Sequence, residues 1–255
     1  MKFTKIQGAG NDFIVIDDRA GSFSLAESEI RRLCHRHFGI GADGLILLQN
    51  TPIADFRMRI FNSDGKETEG CGNGLRCLGR FLLELGLSLQ KTRIAMHEKI
   101  VEISAIGEQI GVEMGEPQNL QLHIETEQGT LHFVDTGVPH VVHFVNELET
   151  APLHQLGPFW RRHPLFFPKG TNVNLAKVEK GEIRVRTFER GVEGETLACG
   201  TGACAVAIIA HTLYSMPSPI AISFPGGHLE IQIDGRRLTM IGPAVKVFDG
   251  IIDFF

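Results

Sequence analysis

Several classes of protein are excluded by what the sequence lacks. No apolar run approaches the ~20 residues of a membrane span, and the start, MKFTKIQGAGNDF, has no signal-peptide core. The net charge of −5 argues against nucleic acid or an anionic membrane as partner. Five cysteines, an odd number, indicate free thiols in a reducing compartment. We therefore expect a cytoplasmic globular protein that binds neither nucleic acid nor membranes.

Two short segments carry the strongest chemical signal. Cys71-Gly72-Asn73-Gly74 and Cys199-Gly200-Thr201-Gly202 each lead into an apolar run with helical periodicity. A cysteine at a helix N-terminus lies beside unpaired backbone N–H groups and the positive end of the helix dipole. Such positions lower a cysteine pKa from ~8.5 to roughly 3.5–7.5, and their N–H groups can bind a carboxylate. The sequence predicts two reactive thiols, each in an anion-binding turn.

The two halves of the chain repeat one plan. Gly10 and Gly137 are 127 positions apart, and 56–61 (FRMRIF) resembles 183–188 (IRVRTF) at the same spacing. The two turn cysteines are 128 apart. Matching landmarks in one order indicate a duplicated unit. Two such halves could bring two helix N-termini, each with a thiol, to one cleft.

Periodicity divides the chain into elements of both kinds, so we predict an α/β (α+β) fold. The expected domains are 1–116 with Cys71 and 117–247 with Cys199, and a tail, 248–255, that returns to the first. A helix is expected over 25–37, opened by a capping box at Ser24 and Glu27. The expected strands include 2–6, 13–17, 45–48, 55–61, 92–96, 99–104, 109–113, 130–135, 140–145, 183–188, 219–223, 228–233 and 237–241.

A glycine motif in the first half could be taken for a dinucleotide-binding loop. Gly39-x-Gly41-x-x-Gly44 matches the pattern of dinucleotide-binding loops. That function requires a strand before the loop and a helix after it, whereas here a helix precedes and a strand follows. We therefore interpret the segment as a glycine-rich loop.

Two thiols at opposed helix ends suit stereoinversion, in which one removes a proton from a carbon and the other delivers one to its opposite face. We expect that carbon to be α to a carboxylate held by the turn N–H groups. One cysteine must begin as thiolate and the other as thiol, as coupled titration permits. No cofactor is required. The other cysteines lie within helical runs and are expected to be core residues: Cys34, Cys77 and Cys204.

Polar residues near these turns are candidates for binding. Arg190 could clamp a carboxylate and Glu189 could accept from an ammonium group, although a surface ion pair is an open alternative. The remaining candidates are strand-end asparagines and one histidine, each of which could be purely structural: Asn11, Asn62, Asn172 and His140.

These motifs together resemble one known family. Gly10-Asn11-Asp12-Phe13, Phe61-Asn62-Ser63-Asp64-Gly65, the two cysteine turns and Glu189-Arg190-Gly191 are similar to those of diaminopimelate epimerase, and the resemblance covers essentially the whole chain. It implies interconversion of LL- and meso-diaminopimelate, toward lysine and peptidoglycan, without pyridoxal phosphate or metal. It also implies two pseudo-symmetric domains, each a mixed strand barrel around a central helix.

The resemblance assigns roles by position. Cys71 and Cys199 match the acid–base pair, His140 a histidine near the active site, and Glu189 a glutamate important for activity. The amides that hold the reacting carboxylate match Gly72, Asn73, Gly200 and Thr201, and the other substrate contacts match Asn11, Asn62, Asn172, Glu189 and Arg190. Two positions depart from many members, since Val138 stands where they have Asn and Gly44 where some have Gln.

Three other functions compete with this interpretation. The nearest is a related cofactor-independent racemase for glutamate, aspartate or proline-like acids. A zinc-binding structural module would use Cys71, Cys77, Cys199 and Cys204, whose spacings are poor for structural zinc. A nicotinamide-dependent oxidoreductase would rest on the glycine motifs alone. For the enzyme we expect a small-molecule substrate, no metal and a homodimer.

Overall fold

The computed structural model describes residues 1–68, 70–97 and 99–253. The chain divides into two compact units, Met1–Val112 with Gly242–Phe255 and Glu113–Ile241. The change of unit falls within the strand Gln109–Gly115, a few residues before the predicted joint. Phe254 and Phe255, the end of the predicted tail, lie outside the described residues.

Strands dominate both units. In chain order they are β1 Lys2–Gly8, β2 Asn11–Asp17, β3 Gly44–Gln49, β4 Phe56–Asn62, β5 Glu67–Thr68, β6 Thr92–Met96, β7 Lys99–Ile106, β8 Gln109–Gly115, β9 Gln118–Thr126, β10 Gly129–Asp135, β11 Pro139–Phe144, β12 Asn172–Glu179, β13 Glu182–Glu189, β14 Gly194–Thr196, β15 Ile220–Phe224, β16 Gly227–Asp234, β17 Arg237–Gly242 and β18 Val245–Ile251. The α-helices are α1 Glu27–Cys34, α2 Gly72–Glu84, α3 Leu153–Arg161 and α4 Gly200–Tyr214.

Strand pairing follows the same order in the two units. In the first, hydrogen bonds join β18, β1, β2, β3, β4, β6, β7 and β8 in that order, with β5 beside β4. In the second they join β9, β10, β11, β12, β13, β15, β16 and β17, with β14 beside β13. The parallel pairs, β2–β3 and β4–β6, correspond to β11–β12 and β13–β15. This agreement confirms the duplicated mixed α/β fold.

Each unit packs its strands around one helix. The first packs β1, β2, β3, β4, β7 and β18 against α2, and the second packs β10 to β13, β15 and β16 against α4. Helix α4 is buried from Gly202 through Ala210, as its nearly all-apolar sequence predicts. Among the described residues, no helix has the length and apolarity needed to cross a membrane.

A second helix covers another face of each sheet. Ile30 and Leu33 of α1 pack on Ile14 and Ile16 of β2. In the second unit, α3 buries the single Trp160 against β11, β12 and β13 residues. The sequence does not predict α3, because Gly157 and Pro158 interrupt its helical pattern.

Two local features differ from the sequence-based expectation. The predicted capping box at Ser24 and Glu27 is wrong, because α1 is capped by Ala26, whose N–H donates to Glu29 Oε2 at 2.7 Å. Glu29 lies three residues after this cap, so the glutamate half of a capping box forms two positions later, without the side-chain acceptor that alanine lacks. Strand β9 was not expected, since most of its residues are exposed and show no apolar alternation.

Candidate active site

Cys199 caps the N-terminus of α4. Its backbone is extended (φ −128°, ψ 112°), and its carbonyl accepts the first helical bond from Ala203 N–H. Its Sγ accepts from Gly202 N–H at 3.4 Å, and the residue is 5 % exposed. A Cβ at position 202 would lie 2.6 Å from Asn174 Oδ1, so the turn requires glycine there.

Cys71 caps α2 in the same way. It has an extended backbone (φ −151°, ψ 121°), and its carbonyl accepts from Leu75 N–H at 3.0 Å. Its Sγ accepts from Gly74 N–H at 3.4 Å. Both thiols therefore lie where the helix dipole and backbone N–H groups favour a negative charge.

The other cysteines have different surroundings. Cys34, Cys77 and Cys204 are buried. Burial raises the pKa of Cys34 to about 11 and raises that of Cys77 as well. These positions match the core role expected from the sequence.

His140 lies beside the Cys199 turn. It is fully buried on β11, with Nε2 2.9 Å from Thr201 Oγ1 and Nδ1 3.2 Å from Asn174 Nδ2. Thr201 Oγ1 is in turn 3.5 Å from Cys199 Sγ. Burial lowers the pKa of His140 to about 3, and the charge of Arg190 acts in the same direction. The imidazole is therefore neutral at neutral pH and joined to the thiol through one hydroxyl.

Arg190 is held by its backbone. Its N–H donates to Asn172 Oδ1 at 2.8 Å, and Asn172 Nδ2 donates to Pro139 O at 2.9 Å. The guanidinium donates to Lys169 O at 3.2 Å. Asn172 is 3 % exposed, so its observed bonds fix the start of the loop that carries Arg190.

Glu189 ends β13 next to this loop. Burial raises the pKa of its carboxyl, opposed by a 3.0 Å hydrogen bond that Thr196 Oγ1 donates to Oε2. Glu189 is half-buried, and a partly desolvated carboxyl with a raised pKa is typical of functional sites.

Asn11 lies beside the other thiol. Its Nδ2 donates to Asp43 Oδ2 at 2.8 Å. A carboxylate only accepts hydrogen bonds, so this contact fixes the amide with Oδ1 on the other side. That oxygen accepts from Asn73 Nδ2 at 3.4 Å and from Cys71 Sγ at 3.7 Å.

Asp43 belongs to an ion-pair network that sequence analysis missed. Arg36 Nη2 is 2.8 Å from both Asp43 Oδ1 and Asp12 Oδ1, and Lys5 Nζ is 2.8 Å from Asp12 Oδ2. Burial alone would raise the pKa of Asp12, but the hydrogen bonds from Arg36 and Lys5 hold it well below its ordinary value. The sequence feature that could have pointed to this network is Asp43, a charged residue inside the glycine-rich loop.

The other predicted site residues lie at the ends of strands and helices. Asn62 is exposed at the end of β4, paired in register with Gly44. Gly72 and Gly200 are the first residues of α2 and α4. Val138 is half-buried in the turn between β10 and β11, 127 positions after Asn11.

The predicted residues therefore fall into local groups. In the first unit the structure brings Cys71, Asn11 and Asn73 into contact, while in the second it joins Cys199, Thr201 and His140, and Arg190 with Asn172. No cluster of three or more His, Cys, Asp or Glu side chains in the described part of the chain is arranged to hold a metal ion.

This fold occurs in solved structures. A phenazine biosynthesis protein of the PhzF family from Bacillus anthracis superposes with a TM-score of 0.77, covering 100% of this chain and 99% of that one. The two sequences are 16% identical, so the likeness shows the fold alone.

Sequence comparison is more specific. The family model for diaminopimelate epimerase matches residues 3–120 and 132–247. Two relatives named diaminopimelate epimerase are similar over nearly their full length: that of Archaeoglobus fulgidus is 40% identical over 98% of this chain and 95% of its own, and that of Pseudomonas syringae pv. syringae is 41% identical over 98% of both. The chain belongs to the diaminopimelate epimerase family. This confirms the resemblance seen in the motifs and the predicted enzyme class, an isomerase.

Proposed function

We propose that the chain interconverts LL- and meso-diaminopimelate by proton transfer at the α-carbon, in the synthesis of lysine and peptidoglycan precursors. The observation that carries the proposal is the pair of equivalent N-cap cysteines, each with Sγ 3.4 Å from a backbone N–H. Family membership supplies the substrate class.

The proposed reaction needs only the two thiols and the turn amides. One cysteine thiolate removes the α-proton and becomes a thiol, while the electron pair left on carbon delocalises into the α-carboxylate. The N–H groups at the starts of α2 and α4, from Gly72-Asn73 and Gly200-Thr201, stabilise that negative charge. The other thiol then donates its proton to the opposite face and becomes a thiolate. The reaction moves protons only, and no atom changes its oxidation state.

The remaining residues are assigned to recognition and support. Arg190 suits the distal carboxylate, because a guanidinium binds carboxylates bidentately, and Asn172 places it through the Arg190 N–H. Glu189 suits an ammonium group, and with His140 it supports the catalytic thiols. The other assigned substrate contacts are Asn11 and Asn62.

The alternative functions have less support. A racemase for glutamate, aspartate or proline-like acids would use the same thiols, but the relatives of about 40% identity are named for diaminopimelate. The glycine motif at 39–44 connects α1 to β3, which is the reverse of the order that a dinucleotide site requires.

Location and assembly are part of the same proposal. Five cysteines, an odd number, are typical of a protein in a reducing cytoplasm, and we propose that location for this enzyme. We propose a homodimer, which sedimentation of the reduced protein at several concentrations would test.

The deciding experiment follows label and stereochemistry together. LL-diaminopimelate is incubated with reduced enzyme in deuterated water and sampled before equilibrium. With two separate bases, the inverted product carries deuterium at the reacting carbon while recovered substrate stays unlabelled. Rapid early labelling of recovered substrate would indicate a single base, and no inversion would overturn the proposal. A parallel panel of glutamate, aspartate and proline tests the racemase alternative.

A further inference from the structure

The strand surface beneath each catalytic helix differs between the units. A Cβ on Gly74 of α2 would meet Ile60 Cδ1 and Ile46 Cδ1, whereas one on Gly202 of α4 would meet Asn174 Oδ1. Strand register makes these positions equivalent, since Ile46 pairs with Ile60 as Asn174 pairs with Thr187. The apolar set Phe13, Ile46 and Ile60 of the first unit is thus replaced in the second by His140, Asn174 and Thr187.

The polar set is fully buried. His140, Asn174 and Thr187 all have 0 % exposure. Burying polar groups is unfavourable unless every one finds a partner, and the first unit forms the same strands with apolar residues. Polar residues that replace apolar ones at equivalent buried positions in only one unit are typical of a functional constraint.

The donors and acceptors around Asn174 fix the direction of each hydrogen bond that links Asn174, His140 and Thr201. Asn174 Nδ2 faces the carbonyl of Val141 at 2.9 Å, which can only accept, so the amide orientation is determined. The amide oxygen accepts from Thr187 Oγ1 at 2.9 Å. Asn174 Nδ2 also lies 3.2 Å from His140 Nδ1, so that ring nitrogen must be the acceptor and the proton of the neutral imidazole is on Nε2.

This tautomer determines what Thr201 does. His140 Nε2–H donates to Thr201 Oγ1 across 2.9 Å, which leaves the hydroxyl proton of Thr201 to be donated elsewhere. Cys199 Sγ lies 3.5 Å from that oxygen. Thr136 Oγ1 holds the same residue by donating to Thr201 O at 2.8 Å. The hydroxyl is therefore directed at the sulfur as a donor.

In the first unit the side chain beside the catalytic sulfur is a hydrogen-bond acceptor rather than a donor. The equivalent of Thr201 is Asn73, and the oxygen beside Cys71 Sγ is Asn11 Oδ1, an acceptor fixed by Asp43. An acceptor stabilises the protonated thiol, while a donor stabilises the thiolate. Both sulfurs accept a backbone N–H at 3.4 Å, whereas these side-chain contacts favour opposite protonation states.

We propose that Asn174 is a positioning residue that, through His140 and Thr201, makes Cys199 the resting thiolate and leaves Cys71 as the resting thiol. The charge of Arg190, the residue directly after β13, acts on the His140 ring and further disfavours the imidazolium. The use of this asymmetry in catalysis rests on the proposed function, whereas the protonation of the thiols can be measured without it.

The test is the pH dependence of alkylation at each cysteine. Reduced protein is treated with iodoacetamide under argon from pH 5.5 to 9, and peptide mass spectrometry gives separate rates for Cys71 and Cys199. Comparing each cysteine with itself removes differences in access. We expect the Cys199 midpoint below that of Cys71. In Asn174→Leu the Cys199 rate at pH 7 should fall about tenfold and its midpoint rise, as for loss of a hydrogen bond to a charged group, while the Cys71 profile stays unchanged.

Matched variants separate this effect from general damage. Ile46→Leu changes the equivalent position of the first unit and should leave the Cys199 profile unchanged. Thr201→Val should reproduce the loss and Thr201→Ser should restore it, and this pair decides if Asn174→Leu does not fold by circular dichroism. Equal midpoints in the unsubstituted protein, or a Cys199 profile that Thr201→Val does not move, would overturn the inference. A protein with the expected profiles but no epimerisation would overturn only the proposed function.

Discussion

Asp43 orients Asn11: its Oδ2 accepts the Asn11 amide N–H at 2.8 Å, and this turns the Asn11 oxygen toward the Cys71 thiol 3.7 Å away. The two residues are separated by 32 positions and meet because β2 and β3 are parallel neighbours. Arg36 holds the carboxylate from the other side at 2.8 Å. A residue from a glycine-rich loop thereby controls a hydrogen bond to a proposed catalytic thiol.

Replacing Asp43 should therefore reduce turnover more than stability. In Asp43→Asn an amide can present N–H to Asn11 and allow that side chain to flip. We expect kcat/KM for diaminopimelate to fall about tenfold, equivalent to ~1.4 kcal/mol, with the main change in kcat. The melting temperature should change little, because an exposed ion pair contributes only ~0–1 kcal/mol. Asp17→Asn, which breaks the exposed pair with Arg19, is the matched control and should leave kcat/KM unchanged.

The cysteines should separate into two functional classes. Cys71→Ala and Cys199→Ala are expected to abolish epimerisation in a folded protein, because each removes one proton carrier. Cys77→Ala and Cys204→Ala, both fully buried, should retain activity and lower the free energy of unfolding by about 1 kcal/mol. Urea unfolding and turnover of all four variants check this division. Loss of activity in Cys204→Ala with an unchanged unfolding curve would show that the assignment is wrong.

Local sequence signals predicted the thiol turns well. A cysteine followed by Gly-x-Gly and an apolar run specifies an N-cap from adjacent residues alone, and the 127-residue spacing of Gly10 and Gly137 revealed two copies of one plan. Both glycines adopt positive φ, 84° and 102°, at the equivalent β1–β2 and β10–β11 turns.

Contacts between distant residues could not be predicted in the same way. Asn174 reads as a polar residue between the apolar Val173 and Leu175, and its partner His140 is 34 positions away. Nothing in a single sequence shows that parallel pairing of β11 and β12 brings them together. The missed helix α3 has a different cause, because its stability depends on burying Trp160 in a tertiary cluster rather than on local propensity.

Acid should destabilise the protein through His140. The pKa of His140 is lowered to about 3 by burial, and secondarily by Arg190, while the unfolded chain titrates near ~6.5. The unfolded state therefore binds the proton first, so this contribution to stability is intact above the unfolded pKa and is lost as pH falls from there toward 3. Between pH 7 and 5 the loss should be roughly 2 kcal/mol.

The variant that tests this is His140→Phe, because phenylalanine is the residue at the equivalent position of the first unit, Phe13. Between pH 7 and 5 the free energy of unfolding of this variant should fall by roughly 2 kcal/mol less than that of the unsubstituted protein. His37→Gln, at an exposed position, is the control and should preserve the original slope. An unchanged slope in His140→Phe would show that the buried imidazole titrates alike in both states.

The two turn glycines should tolerate alanine differently. A Cβ at Gly74 would come 2.9 Å from Ile60 Cδ1, the flexible end of a side chain that can rotate. A Cβ at Gly202 would come 2.6 Å from Asn174 Oδ1, which is held by Thr187 at 2.9 Å. We expect Gly202→Ala to destabilise by about 3 kcal/mol and Gly74→Ala by about 1 kcal/mol, the two ends of the usual range for overpacking. Equal losses on urea unfolding would contradict the rigidity assigned to Asn174.

Substrate selectivity should depend on Val138. Its equivalent in the first unit, Asn11, has an amide that contacts Cys71, so the two turns are chemically unequal. If position 138 faces the substrate, a valine cannot form a hydrogen bond with the distal ammonium or carboxylate, and discrimination rests on Arg190, Asn62 and Asn172. The enzyme should then convert simpler amino acids such as glutamate at a low rate.

Val138→Asn should sharpen that selectivity. We expect the ratio of kcat/KM for diaminopimelate over glutamate to rise roughly tenfold, equivalent to ~1.4 kcal/mol. The opposing effect is that an amide which reaches no partner is left unsatisfied against an apolar wall, which would lower stability without changing the ratio. Val138→Thr, close in shape to valine but with a shorter polar reach, is the matched control. Measuring the ratio for the three proteins under identical reducing conditions distinguishes these cases, and an unchanged or lowered ratio in Val138→Asn would show that Val138 does not loosen the site.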